Sequence, residues 1–322
     1  MYALFPPLFC PFPTAMNPHA DLVQERAITW ARRLHLQHRE AAYRRLNRLQ
    51  YGMLMAQAYP SASLEGLQLV ADWSTWLFLL DDQCDEAGIG REPEQMARLH
   101  AQFLAVLYGT PPAPHADPLA HGLWDIYLRL RNQKDTEWIQ RFRESVRMYF
   151  EANVWEATNR RSGRTPDVVT YCTMRPFTSA VYPCLMLIEV TENLDIPAEI
   201  LQHPSVQRLG LMTNNVISWA NDLVSCEKER QQGDVHNLVL VIAHEYRISL
   251  AAAMDKVVAL HDAEVRAFIA LARHLPTITP EIDADLERYI TGMRFWMRAN
   301  LDWSMAAARY RTTQPTIAAA LA

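Results

Sequence analysis

The spacing of apolar residues is the feature that most constrains the fold of this chain. From Asn17 onward, apolar side chains recur every three to four positions, which is the period of helices that bury one face. No segment alternates apolar and polar residues between hairpin turns, and no repeat or low-complexity linker divides the chain. We therefore predict an all-α fold in which a single bundle contains about a dozen helices.

Glycine and proline clusters mark the ends of the predicted helices. Clear examples are Gly88-Ile89-Gly90, the proline-rich stretch 110–114 and Gln232-Gly233-Asp234. The predicted helices cover residues 20–35, 39–58, 64–86, 93–108, 118–132, 135–160, 167–174, 177–192, 204–230, 238–246, 249–273 and 280–310.

The first sixteen residues are apolar but contain Pro6, Pro7, Pro11 and Pro13. Prolines at this density prevent the helix that a secretion signal requires. We therefore expect residues 1–16 to form an extended arm and residues 17–322 to form a single domain. Because no run of eighteen apolar residues occurs, we expect no membrane span.

Charge and cysteine content narrow the possible partners. The net charge is −5 and the basic residues do not cluster, which argues against a nucleic-acid partner. The five cysteines are scattered and form no C-x-x-C pair, so we expect reduced, mostly buried thiols and a cytoplasmic location. The sequence leaves open whether the chain is a monomer or a homodimer.

The first candidate metal motif is Asp81-Asp82-Gln83-Cys84-Asp85-Glu86, which directly follows an apolar helical run. On a helix Asp81 and Asp85 share one face, with Asp82 and Glu86 beside them. Four carboxylates at the negative end of a helix dipole repel one another, and a bound cation would relieve this repulsion. Taken alone, the motif fits a solvated acidic helix end equally well.

The second candidate motif is Asn221, Ser225 and Glu229, which are spaced four residues apart. On a helix their oxygens form one stripe, and Lys228 lies beside it. Taken alone, such a stripe is more typical of a polar helix face without a ligand. Two oxygen-rich stripes on separate helices could, however, face each other across a bundle and clamp a diphosphate through Mg²⁺ ions.

Taken together, these residues resemble the bacterial class I terpene synthase family. The first motif is similar to the aspartate-rich motif of that family, and Asn221-Asp222-x-x-Ser225-x-x-x-Glu229 is similar to its second metal motif. Two further family features are present in the expected order. The first is Arg175, which lies 46 residues before Asn221, and the second is the pair Arg309-Tyr310.

The resemblance implies a fold and a set of roles. The fold would be a single-domain helical bundle around a central active-site cavity, with the arm 1–16 folded over the mouth of that cavity. Asp81 and Asp85 would bind two Mg²⁺ ions and Asn221, Ser225 and Glu229 a third, with Mn²⁺ as a possible substitute. Asp82 and Glu86 would support these ligands rather than bind metal. The diphosphate ligands would be Arg175, Lys228, Arg309 and Tyr310.

One segment departs from the family pattern. The family usually has an acidic residue three positions after the sensor arginine and a glycine four positions after it. Here those positions hold Thr178 and Ser179, in the segment Arg175-Pro176-Phe177-Thr178-Ser179. We expect Thr178 to hydrogen-bond Arg175 and the carbonyl of Ser179 to point into the pocket, which makes all three residues catalytic candidates.

A carbocation requires a dry cavity with aromatic faces. The candidate wall residues are Leu77, Phe78, Tyr182, Cys184, Trp296 and Trp303. For each aromatic residue, ordinary core packing is an equally good explanation. The sequence identifies no general base.

The resemblance implies a carbon–oxygen lyase that ionises a prenyl diphosphate, with farnesyl diphosphate expected and a sesquiterpene hydrocarbon or alcohol as product. Geranyl and geranylgeranyl diphosphate remain alternatives as substrates. A chain-elongating prenyltransferase would need a second aspartate-rich motif in place of the Asn221 stripe, and no such motif is visible. An inactive helical binding protein with residual motifs is the alternative from a different functional class.

Overall fold

The computed structural model describes residues 7–37, 39–86 and 88–306, except for the side chains of residues 85 and 86. Within these ranges the chain forms α-helices and one 3-10 turn, Ile89–Arg91, and no strand. The helices are α1 (Ala20–Arg33), α2 (Glu40–Leu49), α3 (Tyr51–Ala58), α4 (Leu64–Glu86), α5 (Pro93–Leu107), α6 (Pro118–Gln133), α7 (Thr136–Ser162), α8 (Val168–Thr178), α9 (Val181–Thr191), α10 (Ala198–Leu201), α11 (Pro204–Gln232), α12 (Leu238–Tyr246), α13 (Leu250–Ala272) and α14 (Pro280–Ala306). The predicted all-α fold is therefore confirmed.

Local chemistry explains where several helices begin and end. The Asp135 side chain accepts a hydrogen bond from the Trp138 backbone N–H at the start of α7. The same helix ends at Gly163, whose φ of 64° lies in the left-handed region that glycine adopts without strain. Gly233 ends α11 in the same way, with a φ of 70°.

Helix α4 runs through the centre of the bundle. Trp73 and Trp76 are fully buried, and their rings stack with centroids 5.4 Å apart. The Trp76 ring also packs edge-on against Phe103 of α5 at 5.3 Å. Aromatic burial of this extent fixes α4 and therefore fixes the position of the acidic motif at its C-terminal end.

Helix α11 is the second central element, and it packs against α13 and α14. Its middle section is buried on nearly every side, including the polar residues Thr213, Asn214 and Ser218. Its C-terminal part carries the Asn221 stripe. The long helix therefore places the second predicted motif at one end of the bundle.

The described part of the N-terminal arm lies on α13 and α14. The Phe9 backbone N–H donates to an oxygen of Asp262 at 2.8 Å, and Phe12 packs edge-on against Phe268. Arg298 donates to the carbonyl of Cys10 at 3.4 Å. None of residues 7–16 lines the cavity described below, so closure of its mouth by the arm stays a prediction.

Two predicted helix boundaries were wrong. The predicted helix 39–58 is two helices, because Gln50 adopts a left-handed conformation with φ of 57° between α2 and α3. The break predicted at residues 175–176 lies instead at residues 179–180. Pro176 is tolerated inside α8, and Ala180, with φ of 58°, ends the helical path. The short helix α10 was not predicted.

No helix in the described part of the chain is long and apolar enough to cross a membrane. The predicted diphosphate ligands Arg309 and Tyr310 lie outside the described residues.

Close contact between α9 and α14 gives a test of the packing. A Cβ atom added at Gly292 would lie 2.7 Å from Cγ2 of Ile188, so Gly292→Ala forces the two helices apart. We expect Gly292→Ala to lower the free energy of unfolding by about 1–3 kcal/mol in urea denaturation. The matched control is Gly210→Ala on α11, where the new Cβ would meet no atom within 4 Å. This control should be neutral or stabilising by up to about 1 kcal/mol. Equal effects at both positions would contradict the packing described.

Candidate active site

A cavity of about 270 Å³ lies between the C-terminal end of α4, the C-terminal half of α11, and α7, α8, α9 and α14. Its polar lining residues include Asp81, Asn153, Glu156, Arg160, Arg175, Asn221, Lys228, Glu229, Asp234 and His236. Its apolar lining residues include Leu54, Met55, Leu77, Phe78, Val181, Cys184, Ile217, Trp296 and Trp303. Residues from both predicted metal motifs therefore open onto one cavity that is also lined by aromatic residues.

A buried ion pair joins α8 to α11 at the polar end of this cavity. Arg175 donates to Asp222 Oδ1 through Nε at 3.0 Å and through an Nη at 2.8 Å. The same Nη also donates to Asn221 Oδ1 at 3.2 Å. Only 1% of the Asp222 side chain and 13% of the Arg175 side chain are exposed. The arginine is thus held next to the predicted metal stripe.

The second Asp222 oxygen is also occupied. It accepts the hydroxyl of Tyr171 at 2.7 Å and the backbone N–H of Leu238 at 3.1 Å. Both carboxylate oxygens of Asp222 therefore have protein donors, and the residue does not line the cavity. Asp222 connects α8, α11 and α12 and leaves the cavity-facing positions to Asn221 and Glu229.

Asn237 anchors the predicted metal stripe from behind. Its Nδ2 donates to the carbonyl oxygen of Asp222 at 2.7 Å and to Oε2 of Glu229 at 2.8 Å. Its Oδ1 accepts the Val239 N–H at 2.9 Å and so caps α12. The side chain is fully buried. Sequence analysis missed this residue, although its place just before an apolar helix is typical of an N-cap.

The donor set on α11 fits a hard divalent cation. Burial, followed by the charge of Asp222, raises the pKa of Glu229 to about 7, so a cation beside this carboxylate would be stabilising. The Ser225 hydroxyl donates to the Asn221 carbonyl at 2.7 Å, which leaves its lone pairs available. Amide, hydroxyl and carboxylate oxygens are the ligands that Mg²⁺ prefers. Among the described residues no group of three His, Cys, Asp or Glu side chains is placed to hold a metal ion.

The first motif is partly described. Asp81 lines the cavity, whereas Asp82 is buried and pairs with Arg45 of α2 at 3.0 Å. The supporting role expected of Asp82 stays a prediction. The side chains of Asp85 and Glu86 are not described, so their roles stay predictions.

Sequence analysis missed a charged cluster on α7. Asn153, Glu156 and Arg160 follow one another at helical spacing and line the cavity. Arg160 is held by Asp234 at 3.1 Å and by Glu156 at 3.0 Å. The available signal was a stripe of polar residues along the helix, but its spacing does not match a recognised sequence motif.

His236 completes this cluster from the loop after α11. Its Nε2 accepts from Asn159 at 3.3 Å, so its Nδ1 carries the proton and donates to Asp234 at 3.2 Å. Burial opposes ionisation of Asp234, but the bonds from His236 and Arg160 hold the pKa of Asp234 well below its usual value. The polar end of the cavity thus contains a fixed cationic arginine and a fixed carboxylate.

Residues at the break between α8 and α9 line the cavity. Thr178 and Ser179 both line the cavity, and Thr178 Oγ1 lies 3.5 Å from an Nη of Arg175. The Ser179 hydroxyl lies 2.9 Å from Asn214 Oδ1 on α11. Ala180 follows in a left-handed backbone conformation that residues other than glycine rarely adopt. The break is therefore tied to both Arg175 and α11.

Five of the six predicted wall residues reach the cavity. Leu77, Phe78, Cys184, Trp296 and Trp303 line it, but Tyr182 does not. The Tyr182 ring instead lies 5.8 Å from the ring of Phe177. The Phe78 ring stacks on Tyr51 at 3.7 Å and lies 5.7 Å from Trp303, which presents a rigid aromatic wall.

Comparison with known proteins agrees with this geometry. Residues 72–267 match the family described as terpene synthase family 2, C-terminal metal binding. The (+)-T-muurolol synthase of Roseiflexus castenholzii, described as cyclising (2E,6E)-farnesyl diphosphate, is 45% identical over 95% of this chain and 94% of its own length. The germacrene A synthase of Nostoc punctiforme is 35% identical over 97% of this chain and 96% of its own length.

Solved structures show the same fold. The germacradien-4-ol synthase of Streptomyces citricolor superimposes with a TM-score of 0.83 and is 27% identical. The match covers 95% of this chain and all of that one (100%). An SVS_A2 protein from ancestral sequence reconstruction superimposes with a TM-score of 0.86 at 25% identity, covering 94% of this chain and 90% of that one.

The anchoring by Asn237 can be tested through stability. Asn237→Ala removes the α12 cap and both bonds to α11, and we expect it to lower the free energy of unfolding by about 1–3 kcal/mol. Asn237→Ser keeps a capping hydroxyl but does not reach Glu229. Its stability should therefore fall between those of the wild type and Asn237→Ala in urea denaturation. Full stability of Asn237→Ala would contradict an anchoring role.

Proposed function

Since the chain belongs to the terpene synthase family, we propose that it ionises farnesyl diphosphate and cyclises the carbocation to a sesquiterpene. The substrate of the Roseiflexus relative supports the choice of a farnesyl chain. The observation that carries the proposal is that Asp81 of α4, Asn221 and Glu229 of α11, and Arg175 of α8 line one cavity that is also lined by aromatic side chains.

The proposed metal ions are Mg²⁺, three in number, for which Mn²⁺ can substitute. Asp81 and Asp85 would bind two of them from α4, and Asn221, Ser225 and Glu229 the third from α11. When bound, the ions would neutralise the charge that develops on the diphosphate as its C–O bond breaks. Asn237 and Asp222 hold the α11 ligands so that little reorganisation is needed on binding.

The proposed diphosphate ligands are Arg175, Lys228, Arg309 and Tyr310. Arg175 and Lys228 both line the polar end of the cavity. The planar fork of Arg175 suits two diphosphate oxygens, and its present partners Asp222 and Asn221 hold it oriented toward that end. Thr178 and Ser179 would connect the bound diphosphate to the break between α8 and α9. Glu86 would act with Asp82 in supporting the first motif.

The apolar end of the cavity would shape and protect the cation. The rings of Phe78, Trp296 and Trp303 stabilise positive charge through their faces without forming a bond to it. A double bond of the folded chain attacks the cationic carbon to close a ring, and the sequence ends when the final cation loses a proton or is captured by a nucleophile. The released diphosphate is the leaving group of the first step.

Two carboxylates on α11 provide a matched test. Glu229→Gln removes a charge from the cavity wall, and we expect it to lower turnover of farnesyl diphosphate at least about 100-fold in the presence of Mg²⁺. Glu227→Gln, two residues earlier, removes a charge that pairs with Arg230 outside the cavity lining and should leave turnover unchanged. Product would be measured by gas chromatography–mass spectrometry.

Circular dichroism would confirm that both variants remain folded. Full activity of Glu229→Gln, or an equal loss in both variants, would contradict a metal site on this face of α11. Product formation by the wild type in the presence of a chelator would contradict the proposed dependence on Mg²⁺.

A further inference from the structure

A buried amide lies in the aromatic part of the cavity wall and takes no part in the chemistry described above. Asn300 is on α14 between Trp296 and Trp303, and all three residues line the cavity. The Asn300 side chain is on the same helical face as its two aromatic neighbours, at spacings of four and three residues. A polar side chain therefore interrupts the aromatic wall.

Asn300 has no hydrogen-bond partner for its amide oxygen within the described part of the chain. The residue is 9% exposed, and Oδ1 is inaccessible to bulk solvent. One turn later, Ser304 is 1% exposed, and its Oγ likewise lacks a partner among the described residues. Burying an unsatisfied polar group costs about 1–3 kcal/mol, so a small polar ligand that bonds these two groups would be stabilised at this helical face.

Water is the ligand that this site fits. Buried waters occupy polar positions and satisfy groups that lack protein partners. The amide is uncharged, so it can hold a water molecule without placing a formal charge next to the carbocation. Oδ1 would accept one hydrogen of the water, which leaves the oxygen lone pairs of that water available to the cavity.

We propose that Asn300, supported by Ser304, holds a water molecule in the cavity wall and that this water adds to the carbocation, so that the product is a terpene alcohol. The inference rests on the proposed function, because it needs a cation in the same cavity. The inference predicts an alcohol and not a hydrocarbon as the product, a choice that the metal and diphosphate ligands do not determine.

The proposed step is balanced. A lone pair of the water oxygen forms a C–O bond to the cationic carbon, giving a protonated alcohol. That species loses one proton to the diphosphate released in the ionisation step. The overall reaction consumes one farnesyl diphosphate and one water and yields one terpene alcohol and one protonated diphosphate, with no oxidant or reductant.

The wild type provides the first test. Incubated with farnesyl diphosphate and Mg²⁺ in ¹⁸O-labelled water, it should form an alcohol that carries the heavy isotope, detected by mass spectrometry. A product that is only hydrocarbon, or an alcohol without the label, would overturn the inference and leave the proposed function intact. Absence of any product from the folded enzyme would overturn the proposed function and this inference together.

The second test assigns the water to Asn300. Asn300→Leu keeps the number of side-chain heavy atoms and the branching at Cγ but removes the amide, and we expect the alcohol-to-hydrocarbon ratio to fall about tenfold. Asn300→Ser restores a hydroxyl that can hold water and should recover part of the alcohol. An unchanged ratio in Asn300→Leu would overturn the role of this residue.

A third measurement does not depend on turnover or on the stability of the variants. In a high-resolution crystal structure of the wild type without substrate, we expect an ordered water within hydrogen-bond distance of Asn300 Oδ1. Absence of that water, with the amide in clear density, would overturn the inference.

Discussion

The buried ion pair between Arg175 and Asp222 is the contact on which the active-site end of the bundle depends. It joins α8 to α11, and the other Asp222 oxygen binds Tyr171 and the start of α12. Removing one partner of such a pair leaves an uncompensated buried charge, so the two residues have to be retained together. Because Asp222 follows Asn221 directly, the same pair also fixes the helical face that carries the metal stripe. Asn237 extends this network to Glu229, eight residues before it.

The cavity combines two environments that have opposite requirements. Its polar lining includes the carboxylates of Asp81, Glu156, Glu229 and Asp234 and the cationic side chains of Arg160, Arg175 and Lys228. Burial, followed by the charge of Asp222, raises the pKa of Glu229 to about 7, so a metal cation beside this carboxylate would be stabilising. The aromatic lining residues offer faces that stabilise a cation without trapping it. Metal cations that bind an anionic diphosphate would suit the first environment, and an apolar chain would suit the second.

Much of the fold, and the presence of Asp81, Asn221 and Glu229 at one cavity, could be predicted from the sequence because the signals are local. Helical spacing of apolar residues located most helices, and the spacing of Asn221, Ser225 and Glu229 identified the stripe. The break falls at Gln50 and not at the nearby Gly52, which lies inside α3, and Pro176 suggested a break four residues too early. The Arg160–Asp234–His236 cluster depends on contacts between α7 and a loop more than 70 residues away. Long-range contacts of this kind leave no spacing pattern in a single sequence, and neither does the unsatisfied amide of Asn300.

A crystal structure of the protein with Mg²⁺ and inorganic diphosphate would test the central claim most directly, because it locates both ligands without requiring turnover. We expect Mg²⁺ bound by the oxygens of Asn221, Ser225 and Glu229 at about 2.0–2.1 Å. A diphosphate oxygen should lie within hydrogen-bond distance of Arg175 at the polar end of the cavity. Diphosphate bound outside this cavity, or a cavity that stays empty at saturating ligand, would contradict the claim that α4, α8 and α11 together form a metal-dependent diphosphate site.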